Sequence, residues 1–492
     1  EGGVIVLTVP TGTPQQYFLA ADEPNTTITV DWGDGMPETY TLGTNHKAIV
    51  NENGTQGTTV TIKGAVTYAD FSSYPGLATD NQITAIDISK NENLRGLITY
   101  MNEIETLDVS NQPNLEELDC SYCELEALDV SHNTKLTSLK AYGNYIDNID
   151  VTLLPQLQEL DLKGNMLETI DLSKDTKLVE LSLQNNELKN VDVSMLPLLM
   201  ELSLQGNKLT ELNLSNNKLL DELNVSDNSL TSLDLSANTS LSSLIAGGNP
   251  LDMLDLSHNR MLNYINVSKN GWDACTLNDF YYLLPEYPAD VQLGENDEKL
   301  RLRVIGNSSS TRPANQASKA ESVIATGKGW VIDQKGDGTG CDMAYVTLLP
   351  VDNGTVTMQT ADGVEVPSGT KVAKNTVVKV TATPASGYAL ASIKANGKVA
   401  ANNQFTVTAA TEVLVQFTIS TRIEGVGTQT LSVESGKGEL RFNTESSANV
   451  AVYTLSGAQV YAGTVSGSQA ISLKPGVYVV TVGDVQRKML VK

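Results

Sequence analysis

The chain has 492 residues, too many for one ordinary domain, and aromatic residues make up only 5% of it. Its net charge of −25 argues against binding to nucleic acid or to anionic membranes, because no basic surface is available for phosphates. Three histidines leave little room for histidine-based catalysis or zinc, so we predict no metal and no cofactor.

Residues 1–78 are predicted to form a β-rich N-terminal domain or cap. Short apolar runs such as GVIVLTV and ITVDWGDG are separated by Gly, Pro and Asn turn signals. The sequence DWGDG at Asp31–Gly35 resembles the signature of polycystic-kidney-disease-type sandwiches. Because the segment is short for a full sandwich, we interpret it as a cap on the region that follows. A calcium site in this turn is the alternative.

Residues 79–270 repeat with a period of 21. A leucine begins a unit at every twenty-first position from Leu94 to Leu262, and a half unit starts at Ile83. A fixed period of this length indicates stacked units that each bury an apolar face on their neighbours. Most of the acidity lies here, since residues 80–290 contain 34 acidic and 12 basic residues.

The two halves of each unit differ. The first half, such as LQELDLKGN from Leu157, varies between its leucines, whereas the second half, such as LETIDLSKD from Leu167, is nearly constant. We assign the first half to a parallel strand on the concave face and the second half to the opposite wall. A buried Asn amide at each turn can bond the backbone of adjacent coils. These asparagines are Asn102, Asn144, Asn165, Asn186, Asn207, Asn228, Asn249 and Asn270.

The unit L-x-x-L-x-[LC]-x-x-N-x-L-x-x-L-D-[LV]-S-x-N-x-x resembles the bacterial leucine-rich repeats with nested 10/11 periodicity. Such repeats occur in surface proteins of Bacteroidetes and in some internalins, and the resemblance implies a curved solenoid used for protein recognition. We therefore predict a mainly β fold: a leucine-rich-repeat solenoid with a parallel β-sheet. It is flanked by the N-terminal β cap or sandwich and by small C-terminal β domains.

Residues 271–342 are predicted to cap the C-terminal end of the solenoid. CTLNDFYYLLP places Leu277, Phe280, Tyr281 and Leu284 at helical spacing, and a second helical stretch ends near residue 327. Cys275 and Cys341 bracket this region. If the protein is exported they could form a disulfide, which would stabilise the fold by roughly 4 kcal/mol in the chain-entropy model.

Residues 343–420 resemble the B-repeat module of listerial internalins. The marks are G-T-V at Gly354, V-x-V-T-A-T-P at Val378–Pro384, G-Y at Gly387, N-G at Asn396 and F-T-V-T at Phe405. The resemblance implies a ubiquitin-like β spacer on a bacterial surface.

Residues 421–492 are predicted to form a C-terminal β-sandwich. V-Y-x-x-S-G at Val452–Gly457, L-K-P-G-V-Y-x-V at Leu473–Val480 and the ending K-M-L-V-K resemble the sorting domain of the type IX secretion route of Bacteroidetes. A plain sandwich without a sorting role is the alternative.

Two patterns in the repeats could suggest metal chemistry, but each has a structural explanation. Cys120 and Cys123 form C-x-x-C, yet the register places both at inward-facing positions and no second pair exists. The Asp of L-D-[LV]-S could form a calcium ladder. We favour hydrogen bonds from nearby backbone and Ser groups instead, partly because Asn213 replaces the carboxylate once.

The residues that flank the strand leucines point outward and form the candidate binding surface. One column contains four consecutive glutamates, and the neighbouring columns are acidic or amide-rich with few aromatic residues. The candidate binding residues are Glu117, Asp119, Tyr142, Glu159, Asp161, Glu180, Gln184, Glu201, Gln205, Glu222 and Tyr264.

These features predict a non-enzymatic, secreted or cell-surface protein of the adhesin type, associated with the outer membrane. No nucleophile elbow, zinc-protease motif or phosphate loop is present. We expect a monomer without a transmembrane segment that binds a protein partner, such as a basic host or bacterial surface protein, through the acidic concave face. A structural spacer with no ligand and a surface protein that captures glycans are the alternatives, and the acidic column could also serve solubility alone.

Overall fold

The computed structural model describes residues 2–74, 80–286, 300–306, 310–419, 422–426, 429–482 and 485–492. The chain divides into two compact units, residues 1–340 and 341–492. No helix in the described ranges is both long and apolar enough to span a membrane.

Eight strands begin the first unit, and buried and exposed side chains alternate along most of them, as expected for strands that cover a core. They are β1 (Gly3–Thr8), β2 (Gln15–Ala20), β3 (Thr26–Asp31), β4 (Glu38–Leu42), β5 (Lys47–Asn51), β6 (Thr59–Gly64), β7 (Tyr68–Asp70) and β8 (Ala85–Lys90).

These eight strands contribute to two sheets. One is antiparallel with the order β4-β3-β6-β1-β8, so the half unit from Ile83 supplies a strand that pairs with β1. The strands β5, β2 and β7 belong to the other sheet, which continues into the repeats. Tyr17 stacks on Trp32 at 5.7 Å between ring centroids and meets Phe71 edge-on at 5.1 Å, all within the core.

Each repeat then supplies one strand of three residues. These strands are parallel, in register and 21 residues apart. They are β9 (Gly96–Ile98), β10 (Glu117–Asp119), β11 (Ser138–Lys140), β12 (Glu159–Asp161), β13 (Glu180–Ser182), β14 (Glu201–Ser203), β15 (Glu222–Asn224), β16 (Ser243–Ile245) and β17 (Tyr264–Asn266).

The middle residue of each repeat strand points into the core. Leu160 pairs with Leu181, which pairs with Leu202, and their exposed fractions are only 1%, 1% and 2%. The leucine that begins each unit is also buried. Because successive strand residues face opposite sides, the two residues beside each central leucine face outward. The structure is therefore mainly β, with a leucine-rich-repeat solenoid built on a long parallel sheet.

The asparagine column joins neighbouring coils as predicted. Asn186 accepts a hydrogen bond at Oδ1 from the backbone N–H of Leu167 at 3.0 Å. Its Nδ2 donates to the backbone oxygens of Leu162 at 3.0 Å and Leu183 at 3.1 Å. The same three-bond pattern recurs at Asn144, Asn165, Asn207, Asn228 and Asn249.

The second half of each unit is held by local turns rather than by strands. The Oδ1 of Asp108 accepts a hydrogen bond at 2.9 Å from the backbone N–H of Ser110. The pKa of this carboxyl is lowered by the side-chain hydroxyl of Ser110 and then by this backbone bond. The uncharged side chain of Asn213 accepts the equivalent hydrogen bond at Oδ1 from the backbone N–H of Ser215 at 3.0 Å. The repeated aspartates therefore have the turn-forming role predicted for them.

The C-terminal end of the first unit contains the predicted amphipathic helix, α1 (Ala274–Tyr282). The helix begins at Asp273, whose side chain accepts the N–H of Thr276, and it buries Leu277, Phe280 and Tyr281. The remaining elements are β18 (Arg301–Arg303), a 3-10 turn (Ala317–Lys319), α2 (Val323–Gly327) and β19 (Val331–Ile332). Since β18 pairs in parallel with β17 and β19 with β18, the sheet extends beyond the last repeat.

The second unit begins with eight strands in two sheets, ordered β22-β20-β27-β24-β25 and β21-β23-β26. Val346, Met358, Val378 and Val415 are part of their common core. The strands are β20 (Met343–Leu348), β21 (Gly354–Thr360), β22 (Thr370–Ala373), β23 (Val377–Pro384), β24 (Tyr388–Ala395), β25 (Lys398–Val399), β26 (Gln404–Thr406) and β27 (Thr411–Ile419), with a 3-10 turn at Ala401–Asn403.

Six further strands complete the second unit. They are β28 (Arg422–Val426), β29 (Gln429–Gly436), β30 (Glu439–Thr454), β31 (Gln459–Ser472), β32 (Gly476–Val482) and β33 (Val485–Val491). The first part of β30 pairs with β29 and its last part with β32, and Phe442, Val452 and Val480 are buried in one core.

Candidate binding face

The outward residues of the repeats form three columns, which together we call the strand face. The first and last residues of each strand give the first and second columns, and the residue two positions after the strand gives the third. All eleven residues predicted from the sequence belong to these columns. The glutamates at 117, 180, 201 and 222 are exposed and the other seven predicted residues are half-buried. Tyr264 is separated from the glutamates by Ser243, so the structure groups most but not all of the predicted residues.

Four glutamates lie side by side in the first column. Glu159 pairs in register with Glu180, Glu180 with Glu201, and Glu201 with Glu222. Neighbouring strands are about 4.8 Å apart, so the carboxylates lie close together. Partial burial raises the pKa of Glu201, and the charges of Glu180 and Glu222 raise it further. We call these four residues the acidic column.

Only one end of the acidic column is neutralised by the chain itself. Lys140 Nζ lies 2.8 Å from Glu159 Oε1, and Ser138 Oγ donates to Glu159 Oε2 at 2.7 Å. Among the residues that the structure describes, no lysine or arginine pairs with the other three glutamates. These three line a shallow depression of about 220 Å³ together with Ser203, Asn224 and neighbouring strand residues.

The N-terminal end of the strand face carries aromatic residues that the sequence analysis underestimated. Tyr100 and Tyr142 both occupy the third column, and the ring of Tyr122 lies 5.9 Å and 5.2 Å from theirs. Tyr74 extends this row, with its ring 6.1 Å from that of Tyr100. The 21-residue period could have identified Tyr100, because it precedes Tyr142 by two full units.

Tyr68 was also missed, because it precedes the repeats. It pairs with Gly96 in register and so lies in the first column, and its ring stacks on His46 at 3.9 Å. A side chain at Gly96 would collide with the Tyr68 ring, so the glycine makes room for the tyrosine.

The opposite end of the strand face is basic. Arg301 pairs in register with Tyr264, and Arg303 with Asn266, so both exposed arginines extend the outward columns. The repeat pattern could not reveal them, because β18 lies outside the 21-residue register. The face therefore changes from aromatic to acidic to basic along the stack.

Residues 345–421, which contain β21–β27, match the family described as the divergent InlB B-repeat domain, and this confirms the sequence resemblance. No curated protein matches the chain by sequence. The leucine-rich-repeat fold of residues 94–266 rests on the parallel, in-register strands of the chain itself.

Three solved structures illustrate the likeness. The functional domain of InlJ from Listeria monocytogenes, which includes a cysteine ladder, is 20% identical over 72% of this chain and 81% of that chain, with a TM-score of 0.40. A leucine-rich-repeat protein of Leptospira interrogans is 24% identical over 40% of this chain and 55% of its own, with a TM-score of 0.37. YopM from Yersinia enterocolitica is 25% identical over 36% of this chain and 42% of its own, with a TM-score of 0.30.

The two cysteines of the solenoid are structural. Cys120 and Cys123 are free and buried at the inward positions predicted for them. Burial raises the pKa of the Cys120 thiol and raises that of Cys123 to about 11, so neither is a reactive thiolate at neutral pH. In the described parts of the chain, no group of His, Cys, Asp and Glu is arranged to hold a metal.

Proposed function

We propose that the chain is a non-enzymatic, adhesin-like protein that binds a basic protein partner through the acidic face of its solenoid. The in-register column of Glu159, Glu180, Glu201 and Glu222 carries this proposal. Like charges on adjacent strands weaken a sheet. A cationic partner would relieve that repulsion, and complementary charge would speed its association.

The proposed location is the cell surface or the secreted fraction, with outer-membrane association. Cys275 and Cys341 are both in the disulfide form. Disulfides persist mainly in oxidising compartments outside the cytoplasm, which supports export. The resemblance of the last 72 residues to the sorting domain of the type IX secretion route supports the same location.

Charge reversal tests the acidic column. A variant with Lys at positions 159, 180, 201 and 222 is compared with wild type and with a control that has Lys in place of Glu105, Glu126, Glu168 and Glu211. The control residues are exposed and lie in the second halves of their units, and both variants change the net charge equally. We expect the column variant alone to lose its partner from surface-protein extracts of host and bacterial cells.

The retained proteins are identified by mass spectrometry, and binding of each purified candidate is measured at increasing salt. Affinity should fall with salt for wild type and for the control. If all three proteins retain the same partners, the acidic column is not the binding site. The spacer interpretation, in which the face has no ligand, would then be preferred.

A further inference from the structure

The first coils of the strand face combine aromatic rings with carboxylates in a defined arrangement. Tyr68 lies in the first column, and Tyr100 and Tyr142 lie in the third. The column between them contains Asp70, Ile98, Asp119 and Lys140, and the ammonium of Lys140 is paired with Glu159. A strand rises about 3.3 Å per residue, so each aromatic row is about 7 Å from the carboxylates. We call this surface, with Tyr122 and Tyr74 at its border, the tyrosine groove.

The aromatic row has the packing of a preformed surface. Tyr122 and Tyr142 meet edge to face, with ring centroids 5.2 Å apart and planes at 84°. Tyr100 contacts both, at 5.9 Å and 6.1 Å. Edge-to-face packing restrains the rotation of these rings, although Lys163 already covers one face of Tyr142. The rings therefore need little reorganisation to receive a ligand.

Tyr122 adopts a backbone conformation that is costly for a bulky residue. Its φ is +52°, in the left-handed region, where the corresponding positions of the next two units have Gly143 and Gly164. Its side chain is nonetheless 48% exposed, so burial of the ring does not compensate for this cost. The same turn position is also left-handed at Met101, Asp227 and Lys269, so the conformation belongs to the repeat, and the exposure of the ring is what makes Tyr122 a candidate contact.

The carboxylates between the rings are held in place by their own strands. Asp70 Oδ1 accepts the N–H of Ser72 at 2.9 Å, and Asp119 Oδ1 accepts that of Ser121 at 3.0 Å. The pKa of Tyr68 is raised by burial and also by the negative charges of Glu117, Asp70 and Asp119. The groove is therefore negative as well as aromatic.

The chain itself shows which chemical group fits such a surface. Lys163 Nζ lies 4.2 Å above the centre of the Tyr142 ring and 3.1 Å from Asp161 Oδ2. A cation is thus held by one ring face and one carboxylate at the edge of the groove. Both attractions are electrostatic and reinforce each other for an ammonium or guanidinium group.

We propose that the tyrosine groove binds the arginine or lysine side chains of an extended basic segment in the protein partner. The methylene stems pack on the tyrosine rings, and the charged heads reach Asp70, Asp119 and Glu117. This inference rests on the proposed function and adds the anchoring site, since buried tyrosine and arginine contacts contribute most at protein interfaces. The acidic column then attracts the remainder of the segment.

A labelled peptide tests the groove directly. Binding of a fluorescein-labelled Gly-Arg-Gly repeat peptide to the full chain is measured by anisotropy at constant ionic strength, with a Gly-Gln-Gly repeat as the neutral reference. We expect Tyr122→Leu to weaken arginine-peptide binding by about five-fold or more, because the cation–π attraction is lost. Tyr122→Phe keeps that attraction and should bind within about two-fold of wild type.

Two further variants control for folding and position. Tyr145→Leu changes a tyrosine that is 53% exposed outside the groove and should have no effect. Asp119→Asn keeps the oxygen that accepts the Ser121 N–H but removes the charge, and it should weaken binding independently of ring chemistry. Thermal unfolding by circular dichroism confirms that each variant is folded. The groove is not a cation site if Tyr122→Leu binds the peptide as tightly as Tyr122→Phe.

The same measurements separate the groove from the acidic column and from sugar binding. If the four-lysine column variant loses its partner while Tyr122→Leu keeps both partner and peptide, the proposed function stands and the groove inference is wrong. If Tyr122→Leu loses the peptide while the column variant keeps its partner, the groove stands and the acidic column does not. If neutral sugars on a glycan array bind wild type but not Tyr122→Leu, while the peptide binds both, the groove is a sugar platform.

Discussion

At the scale of single residues, Asp175 is the clearest exception to the repeat. It occupies the inward turn position of the second half unit, where Asn133 and Asn217 each donate two hydrogen bonds to backbone oxygens of the preceding coil. The side chain of Asp175 is fully buried, and neither carboxylate oxygen has a hydrogen-bond partner within the described residues. Burial, and then the charges of Asp171 and Asp150, raise its pKa to about 7.

Because of this carboxyl, we expect the stability of the protein to decrease as the pH rises. The pKa of Asp175 is higher in the folded state than in the unfolded chain. Its contribution to the free energy of unfolding is therefore complete below about pH 4 and is lost as the pH rises through about 7. Asp175→Asn removes the ionisation and can restore the two donated bonds. We expect this variant to raise the free energy of unfolding at pH 8 by about 2 kcal/mol.

Urea unfolding at pH 5 and pH 8 measures the effect, and the gain should be smaller at pH 5. Asp234→Asn is the matched control, because Asp234 is exposed, its pKa is lowered by hydrogen bonds from Ser236, and its charge is not among those that raise the pKa of Asp175. The prediction fails if Asp175→Asn and wild type show the same dependence on pH.

At the scale of elements, the asparagine column is what allows such short strands to stack. Each repeat strand has only three residues, and backbone bonds between coils do not reach every group of the following turn, such as the N–H of Leu167. The column satisfies these groups from inside the coil, with at least three bonds per amide from Asn102 to Asn249, whereas the Nδ2 of Asn270 has no partner among the described residues. This role could be predicted from the sequence, because a buried polar residue that recurs at a fixed position needs a recurring partner.

Asn186→Ala tests the column. The change removes three hydrogen bonds and leaves the Leu167 N–H without a partner inside the core, whereas the Leu162 and Leu183 oxygens each keep one amide donor. We expect the free energy of unfolding to fall by about 3 kcal/mol or more. Asn216→Ala serves as the control, since Asn216 is exposed and donates a single bond to Ser194, and its loss should cost less than about 1 kcal/mol. Equal effects of the two changes in urea unfolding would contradict the proposed role.

The strand pairing at the two ends of the solenoid could not be predicted from the repeat pattern. The half unit at Ile83 has the repeat pattern, yet its strand β8 pairs with β1 in the N-terminal sheet. Conversely, β7 and β18 lack the pattern and nevertheless extend the repeat sheet. A strand at a sheet edge joins whichever partner presents free backbone groups, and periodicity does not specify that partner.

At the scale of the whole molecule, the cysteine pairing is the main covalent prediction. Cys275 and Cys341 are each in the disulfide form. The residues that precede them also lie close together, because a Cβ on Gly340 would be 2.7 Å from that of Ala274. Pairing of the two cysteines with each other would close a long loop that contains most of α1 together with β18 and α2.

Reduction should therefore lower the stability of the protein. We expect reducing agent, or the double change Cys275→Ser and Cys341→Ser, to lower the free energy of unfolding by about 4 kcal/mol. Peptide mapping without reductant checks the pairing itself and should recover the two cysteine peptides as one cross-linked species. Two free thiols in that map would contradict the prediction, and the double variant should be insensitive to reductant.

The sequence by itself determined the period, the strand positions, the inward leucines and asparagines, and the four adjacent glutamates. It could do so because a regular apolar repeat has one favourable way to stack, and stacking brings equivalent residues together. Only the tertiary structure decided which non-repeating strands complete the sheet. It thereby placed Tyr68 and Asp70 on the same face as Tyr100 and Tyr142, and Arg301 beyond Tyr264. These neighbours depend on pairing between segments of unlike sequence, which local patterns do not encode.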